Sequence, residues 1–264
     1  MNIFLHELKA NLKSLLIWCV IMLMFVSTGF AKFSAYEGNP ELLAILDDLP
    51  PAMLAAFNFS AFNLTTVTGF LGVMYNYFAL VLTIAAVMWG SDIIAKEERD
   101  KTVEFALTLP VPRSKLVTGK TLAVLVNCIA LVLFTWGAAA ANAAKYTPDE
   151  QFYDFLALSM LAIFVMQMVF LAVGILLGAA MKQYKRANSM AVSILLATFF
   201  ISIISGLNKN LEFLKYVSPF TYFNPGTMLR ELVIDMDYVW LSAGIVLAAM
   251  AGAYAAYKKR DLYI

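Results

Sequence analysis

Apolar positions along the chain gather into six long runs rather than recurring at the spacing of a half-buried helix or strand. The runs are Leu15–Ala31, Gly69–Ile94, Thr121–Ala144, Phe155–Met181, Ala187–Gly206 and Tyr238–Tyr257. A hydrocarbon layer about 30 Å thick takes about 20 apolar residues of helix to cross. A helix also satisfies its own backbone N–H and C=O groups where no water can do so. The pattern predicts an all-α integral membrane protein with six transmembrane helices, organised as a single domain over residues 1–264. The first run follows Lys9 and Lys13 as a secretory signal would, but its core is long and ends in "TGFAKF" without a small-x-small cleavage site. That predicts a retained signal-anchor helix.

Between the runs, lysine and arginine alternate in density. Lys9 and Lys13 precede the first span, Lys96, Arg99, Lys101, Arg113, Lys115 and Lys120 separate the second from the third, Lys182, Lys185 and Arg186 separate the fourth from the fifth, and Lys258, Lys259 and Arg260 follow the sixth. The intervening loops carry only Lys32, only Lys145, and Lys209, Lys215 and Arg230 among acids. Cytoplasmic loops retain basic residues, so both termini are expected in the cytoplasm.

Composition reinforces the membrane assignment: of 264 residues 62% are hydrophobic and 14% charged, against about 25% charged in soluble domains. A formal charge of +1 gives no global basic field for nucleic acid. Cys19 and Cys128 both fall inside apolar runs, which argues against a disulfide framework, and His6 has no cysteine or histidine neighbours for a metal. No Gly-x-Ser-x-Gly elbow, His-Glu-x-x-His or intramembrane aspartate pair occurs, so no catalytic residue is assigned. Ion-coupled carriers hold ionisable groups inside their spans. Here only Asp92 does, close to Lys96, and its simplest reading is an interfacial carboxylate.

Uncharged polar residues do lie within the spans: Tyr75, Asn76, Tyr77, Asn127, Gln167, Thr198 and Ser202. They serve either as hydrogen bonds between helices or as the lining of a pathway, for which Tyr75, Asn76, Asn127 and Gln167 are the candidates. Gly174 and Gly178 have the spacing that lets helix backbones approach, compatible with a dimer of identical or of related chains. After the first span, "NPELLAILDDLPPAMLAAFNFSAFNL" is too polar to cross and too apolar to be a solvated loop. It predicts two short interfacial helices on the outer side, serving as packing or as a substrate gate. Tyr216, Phe220, Tyr222 and Phe223 add an expected aromatic surface on that side, suited to a lipid-like or amphipathic peptide cargo.

The stretch "RSKLVTGKT" ends like a nucleotide-binding P-loop, yet Ser114 stands where the first glycine is needed, and Pro110 and Pro112 occupy the place of the upstream strand. Lys120 is therefore expected to be a basic flank of the third span. From Lys96 to Lys120 the chain holds six basic residues, Lys96, Arg99, Lys101, Arg113, Lys115 and Lys120, against the acids Glu97, Glu98, Asp100 and Glu104. Inside this segment Val103, Phe105, Ala106, Leu107 and Leu109 form a short apolar patch that Thr102 can cap and Pro110 ends. A helix of two turns cannot span. It lies on the bilayer or inserts into a groove on a partner.

These residues resemble the cytoplasmic loop of membrane subunits of type-2 ABC exporters, a pattern of Glu-x-x-x-Gly-Thr-x-Glu-x-Leu-Leu-x-x-Pro-Val-Ser-Arg followed by Gly-Lys. Glu97, Thr102, Glu104, Leu107, Pro110, Val111, Arg113, Gly119 and Lys120 match; Lys101, Ala106 and Pro112 depart. The resemblance extends over the whole chain: "MNIFLHELKANLKS" is similar to the family's interfacial helix before the first span, "LKYVSPFTYFNPGTMLRELV" to its outer-leaflet loop, and "YKKRDLYI" to its tail. It implies a permease subunit in a prokaryotic cell membrane, without cofactor of its own, driven by a separate ABC ATPase, expected in two copies, that holds ATP and Mg. A second permease copy or a related chain is implied beside it, together with membrane lipid. It further implies that the loop forms a coupling helix, with Glu97, Thr102, Glu104, Phe105, Leu107, Pro110 and Arg113 as candidates for docking the ATPase. The alternative is a non-transporting scaffold or sensor whose loop docks a partner, and a secondary carrier ranks below it.

Overall fold

The computed structural model describes residues 3–37, 39, 62–99, 112–181, 183–207 and 209–259. Every regular element among them is helical. Six long helices coincide with the six apolar runs, each beginning before its run: α1 (Ile3–Phe33), α2 (Val67–Arg99), α3 (Arg113–Ala143), α4 (Phe152–Ala180), α5 (Tyr184–Leu207) and, after three short helices, α8 (Met236–Lys259). All six are long and apolar enough to cross a membrane. Between α5 and α8 lie a 3-10 helix (Lys209–Tyr216), α6 (Pro219–Tyr222) and α7 (Pro225–Glu231). The expected coupling helix and the two expected helices within "NPELLAILDDLPPAMLAAFNFSAFNL" fall in 100–111 and 40–61, outside the described residues.

One expectation changes at the N-terminus. The "MNIFLHELKANLKS" stretch is not a separate interfacial helix: from Ile3 it is continuous with the first span. No proline or glycine interrupts the chain before Gly29, so nothing breaks the hydrogen-bond ladder. At about 1.5 Å per residue α1 is about 45 Å long, and its first turns project beyond a hydrocarbon layer of about 30 Å.

Helices α2 and α4 form the centre. In their most apolar stretches 72% and 61% of residues are buried, against 17% in α1, 11% in α5 and 17% in α8. The two central helices pack backbone to backbone. A Cβ added at Gly90 would come within 2.5 Å of the Leu171 carbonyl oxygen, one at Gly174 within 2.5 Å of the Val87 oxygen, and one at Gly178 within 2.6 Å of the Ser91 oxygen. The Gly174/Gly178 pair is thus used inside the chain, against α2. Between helices in lipid, close van der Waals approach replaces the missing hydrophobic drive, and only glycine permits it here. Gln167 Nε2 donates to the Leu82 carbonyl at 3.0 Å along the same seam.

Contacts at the helix ends place the start of α1, the end of α2, the starts of α3 and α5 and the end of α8 together. Trp89 Nε1 donates to Ser14 Oγ at 2.8 Å, Ser91 Oγ to Asn188 Oδ1 at 3.0 Å, and Arg113 Nη1 to the Tyr257 and Lys258 carbonyls at 3.4 and 3.3 Å. This is the charged end, and both ends of the described chain lie there. At the opposite end Phe33 packs on Phe70 and Tyr146 with ring centroids 5.2 and 5.0 Å apart, and Tyr146 Oη donates to the Phe30 carbonyl at 2.8 Å.

The loop after α5 corrects a second expectation. Of the four aromatics expected as an interfacial surface, only Tyr216 is exposed; Phe220, Tyr222 and Phe223 are buried. Ser218 Oγ donates to the Thr198 carbonyl at 2.7 Å, nine residues before the end of α5 and therefore about 14 Å back along it. Phe220 packs on Phe199 and Phe170, each at 5.3 Å. The segment folds back into the bundle between α4 and α5. It can do so because its polar groups are satisfied locally: Thr221 Oγ1 donates to the Lys215 and Ser218 carbonyls, Tyr222 Oη donates to the Tyr216 carbonyl, and the Asn224 side chain caps α7 by accepting from the N–H groups of Gly226 and Thr227.

Candidate functional site

The 100–111 segment leaves α2 after Arg99 and enters α3 at Arg113. Both of its roots stand on a buried ionic knot. Glu7 of α1 pairs with Lys96 of α2, and Glu97 of α2 pairs with Lys120 of α3. Lys120 Nζ also donates to the Ile93 carbonyl at 2.7 Å. Glu7 is 3% exposed and Lys120 1%.

The local sequence explains the arrangement. Gly119 precedes Lys120, and a Cβ at Gly119 would lie 3.2 Å from Ile3 Cγ2, so the glycine lets α1 lie close against α3. Glu7 can then reach α2 from the first turns of α1. Two charges removed from water are tolerated when each finds an opposite charge and further hydrogen bonds. Lys120 finds Glu97 and a backbone carbonyl. Its place in α3 agrees with a basic flank, but the side chain turns inward rather than reaching out to a polar boundary. The Gly-Lys that mimics a P-loop is thus a helix-crossing point and its ion pair, with no loop around it to cradle phosphate.

Asp92 pairs with Arg99 about two turns further along α2, both side chains 40% exposed. The arrangement is that of an interfacial carboxylate rather than a buried coupling site. Near the entry to α3, the Arg113 guanidinium reaches the last carbonyls of α8, where a cation complements the negative end of the helix dipole.

Of the seven docking candidates, the structure brings Glu97 and Arg113 to the two roots of the loop, and both make contacts within the chain. Thr102, Glu104, Phe105, Leu107 and Pro110 lie outside the described residues. The pathway candidates are separate from the knot. Tyr75, Asn127 and Gln167 are buried in α2, α3 and α4, and Asn76 is half-buried. Gln167 bridges α4 to α2, whereas the Tyr75 hydroxyl, both amide atoms of Asn127 and Gln167 Oε1 have no hydrogen-bond partner among the described residues. Thr198 and Ser202 bond carbonyls of their own helix, to Leu195 at 2.8 Å and Phe199 at 2.6 Å.

Sequence reasoning missed Glu7, set Asp92 rather than Glu7 beside Lys96, and paired Lys120 with nothing. A signal was present: Glu7 is the one carboxylate in an otherwise basic amphipathic start. Ser91 and Asn188, which join α2 to α5, carried no signal at all.

Six apolar helices in this order, a charged end from which one loop emerges between α2 and α3, and a segment folded back between α5 and α8 agree with the resemblance drawn from the motifs. Comparison with curated proteins gives no match. The family model described as ABC-2 family transporter protein matches residues 1–262. The chain belongs to that family and is a multi-pass membrane subunit, a permease, of a type-2 ABC transporter.

Proposed function

We infer that this permease is an exporter subunit whose charged end faces the cytoplasm, with both termini there, and that a separate ABC ATPase docks on the 100–111 loop. The observation that carries the reading is the ionic knot beneath that loop. It ties α1, α2 and α3 into one unit at both loop roots, so a push on the loop moves three helices together. A docking element that transmits work needs a stiff base rather than a catalytic group. The density of lysine and arginine at this end supports its cytoplasmic placement.

In this reading ATP and Mg reside on the ATPase, two copies of which close around nucleotide, and the permease acts with a second copy or a related chain in a prokaryotic cell membrane. Glu104, Phe105, Leu107 and Pro110 make the docking contact with Thr102 capping the helix, while Glu97 and Arg113 hold its roots. Tyr75, Asn76, Asn127 and Gln167 are the polar positions available to cargo.

The test is co-purification with a candidate ATPase in mild detergent, followed by ATPase assays in lipid. Phe105→Ala and Glu104→Ala are expected to weaken association by about 2 kcal/mol each, as truncation of an interface hot spot does, and to remove the permease-stimulated turnover. Full stimulation by a Glu104→Lys permease, or failure of any ATPase to associate, overturns the docking assignment.

A further inference from the structure

At the charged end, the first turns of α3 and the last turn of α8 enclose a groove of about 490 Å³. Its walls are Val117 on one side and Tyr254, Ala255 and Tyr257 on the other, and Arg113 and Lys258 also line it. Thr118 Oγ1 and Tyr254 Oη are hydrogen-bonded at 2.8 Å and fasten the two helices together. The exposed Lys115 and Lys259 belong to the same two helix ends. Among the described residues, none that lines the groove carries a carboxylate.

Two features together select an occupant. The groove lies where both helices pass from apolar span to charged end, so one part of it faces hydrocarbon and the other faces headgroups. Its cations gather beside apolar walls. A free anion would gain from the cations and nothing from the walls, and a neutral lipid the reverse. The Arg113 guanidinium is held across the gap by its bonds to the Tyr257 and Lys258 carbonyls, which fixes its position beside the groove.

We propose that this groove is a binding site for one anionic phospholipid of the leaflet at the charged end, its phosphate between Arg113 and Lys258 and its first acyl carbons along Val117, Tyr254 and Ala255. The site adjoins the loop root at Arg113 and is separate from the polar pathway residues. It would stand if no ATPase associated with the chain.

The experiment is native mass spectrometry of the purified full chain, titrated with phosphatidylglycerol or phosphatidylcholine. Expected is one retained phosphatidylglycerol per chain, favoured over phosphatidylcholine by about tenfold or more. Lys258→Gln with Lys259→Gln is expected to lower that preference by about fivefold per charge removed. Ala255→Leu keeps every charge but fills the groove, and is expected to reduce phosphatidylglycerol retention as strongly. All three positions are exposed, so neither variant threatens the fold. Equal retention of the two lipids by the unaltered chain overturns the proposal. So does unchanged retention by Ala255→Leu, which marks a diffuse basic surface, and so does complete displacement by millimolar glycerol phosphate, which marks a free-phosphate site.

Discussion

The two ends of the bundle are fastened by different chemistry. At the charged end, α1, α2 and α3 are joined by Glu7–Lys96 and Glu97–Lys120, with Lys120 buried. At the opposite end the same three helices and their connections meet through Phe30, Phe33, Phe70 and Tyr146, and Tyr146 Oη donates to the Phe30 carbonyl. There Thr68 Oγ1 donates to Asp149 Oδ1, joining α2 to the α3–α4 connection. Aromatic contacts vary gently with small displacements. A buried ion pair is all or nothing, because a charge separated from its partner is left in a low dielectric. At the charged end α1, α2 and α3 are therefore held together more stiffly than at the opposite end, as the proposed docking role requires.

The largest expected effect breaks this contrast at Lys120. Lys120→Ala leaves the Glu97 carboxylate without its partner and is expected to cost about 3–5 kcal/mol, read as a fall in reversible unfolding stability in detergent. Lys120→Met combined with Glu97→Gln removes both charges and is expected to recover most of that loss. Recovery sharpens the comparison, since it assigns the cost to an orphaned charge; no recovery would mean that the pair itself holds the end together. Next comes Phe33→Ala at the opposite end, expected to cost about 3 kcal/mol through the cavity left between Phe70 and Tyr146. No conservative partner change should rescue it, because no charge is stranded. Tyr146→Phe deletes a single hydrogen bond to the Phe30 carbonyl and is expected to cost about 1 kcal/mol. Smallest is Arg99→Gln, which removes the half-exposed pair with Asp92. It is expected to change stability by less than about 0.5 kcal/mol, an effect that salt should abolish.

Glycine placement shows how a local pattern can be legible while its use is not. The spacing of Gly174 and Gly178 announces a close helix approach. It does not reveal that the partner is α2 of the same chain, because small residues at helical spacing recur in several spans, Ala86 and Gly90 of α2 among them. The aromatic loop shows the same limit. Tyr216 to Phe223 has the composition of an interfacial belt, and that expectation gave way because Thr221 and Asn224 satisfy the local backbone and Ser218 donates to the Thr198 carbonyl of α5, so the segment can enter the bundle.

Among the candidate site residues, the place of Glu97 and Arg113 at the two ends of the charged segment between the second and third spans was legible from the sequence, whereas Thr102, Glu104, Phe105, Leu107 and Pro110 lie outside the described residues. The roles of Glu97 and Arg113 within the chain were not. Each acts on a group far away in sequence, Glu97 on Lys120 and Arg113 on the carboxyl end of α8.

The sequence by itself determined the six membrane helices, their bounds to within about five residues apart from the extended starts of α1 and α3, and the family. Transfer of a helix into lipid depends on the summed polarity of neighbouring residues, which is a property of a linear stretch. Only the tertiary structure decided that Lys120 turns inward, that Glu7 reaches α2, that the glycine seam closes within one chain, and that the loop after α5 folds back. Each of these is a choice of partner between helices, fixed by distances of a few ångströms at crossings that hydropathy does not encode.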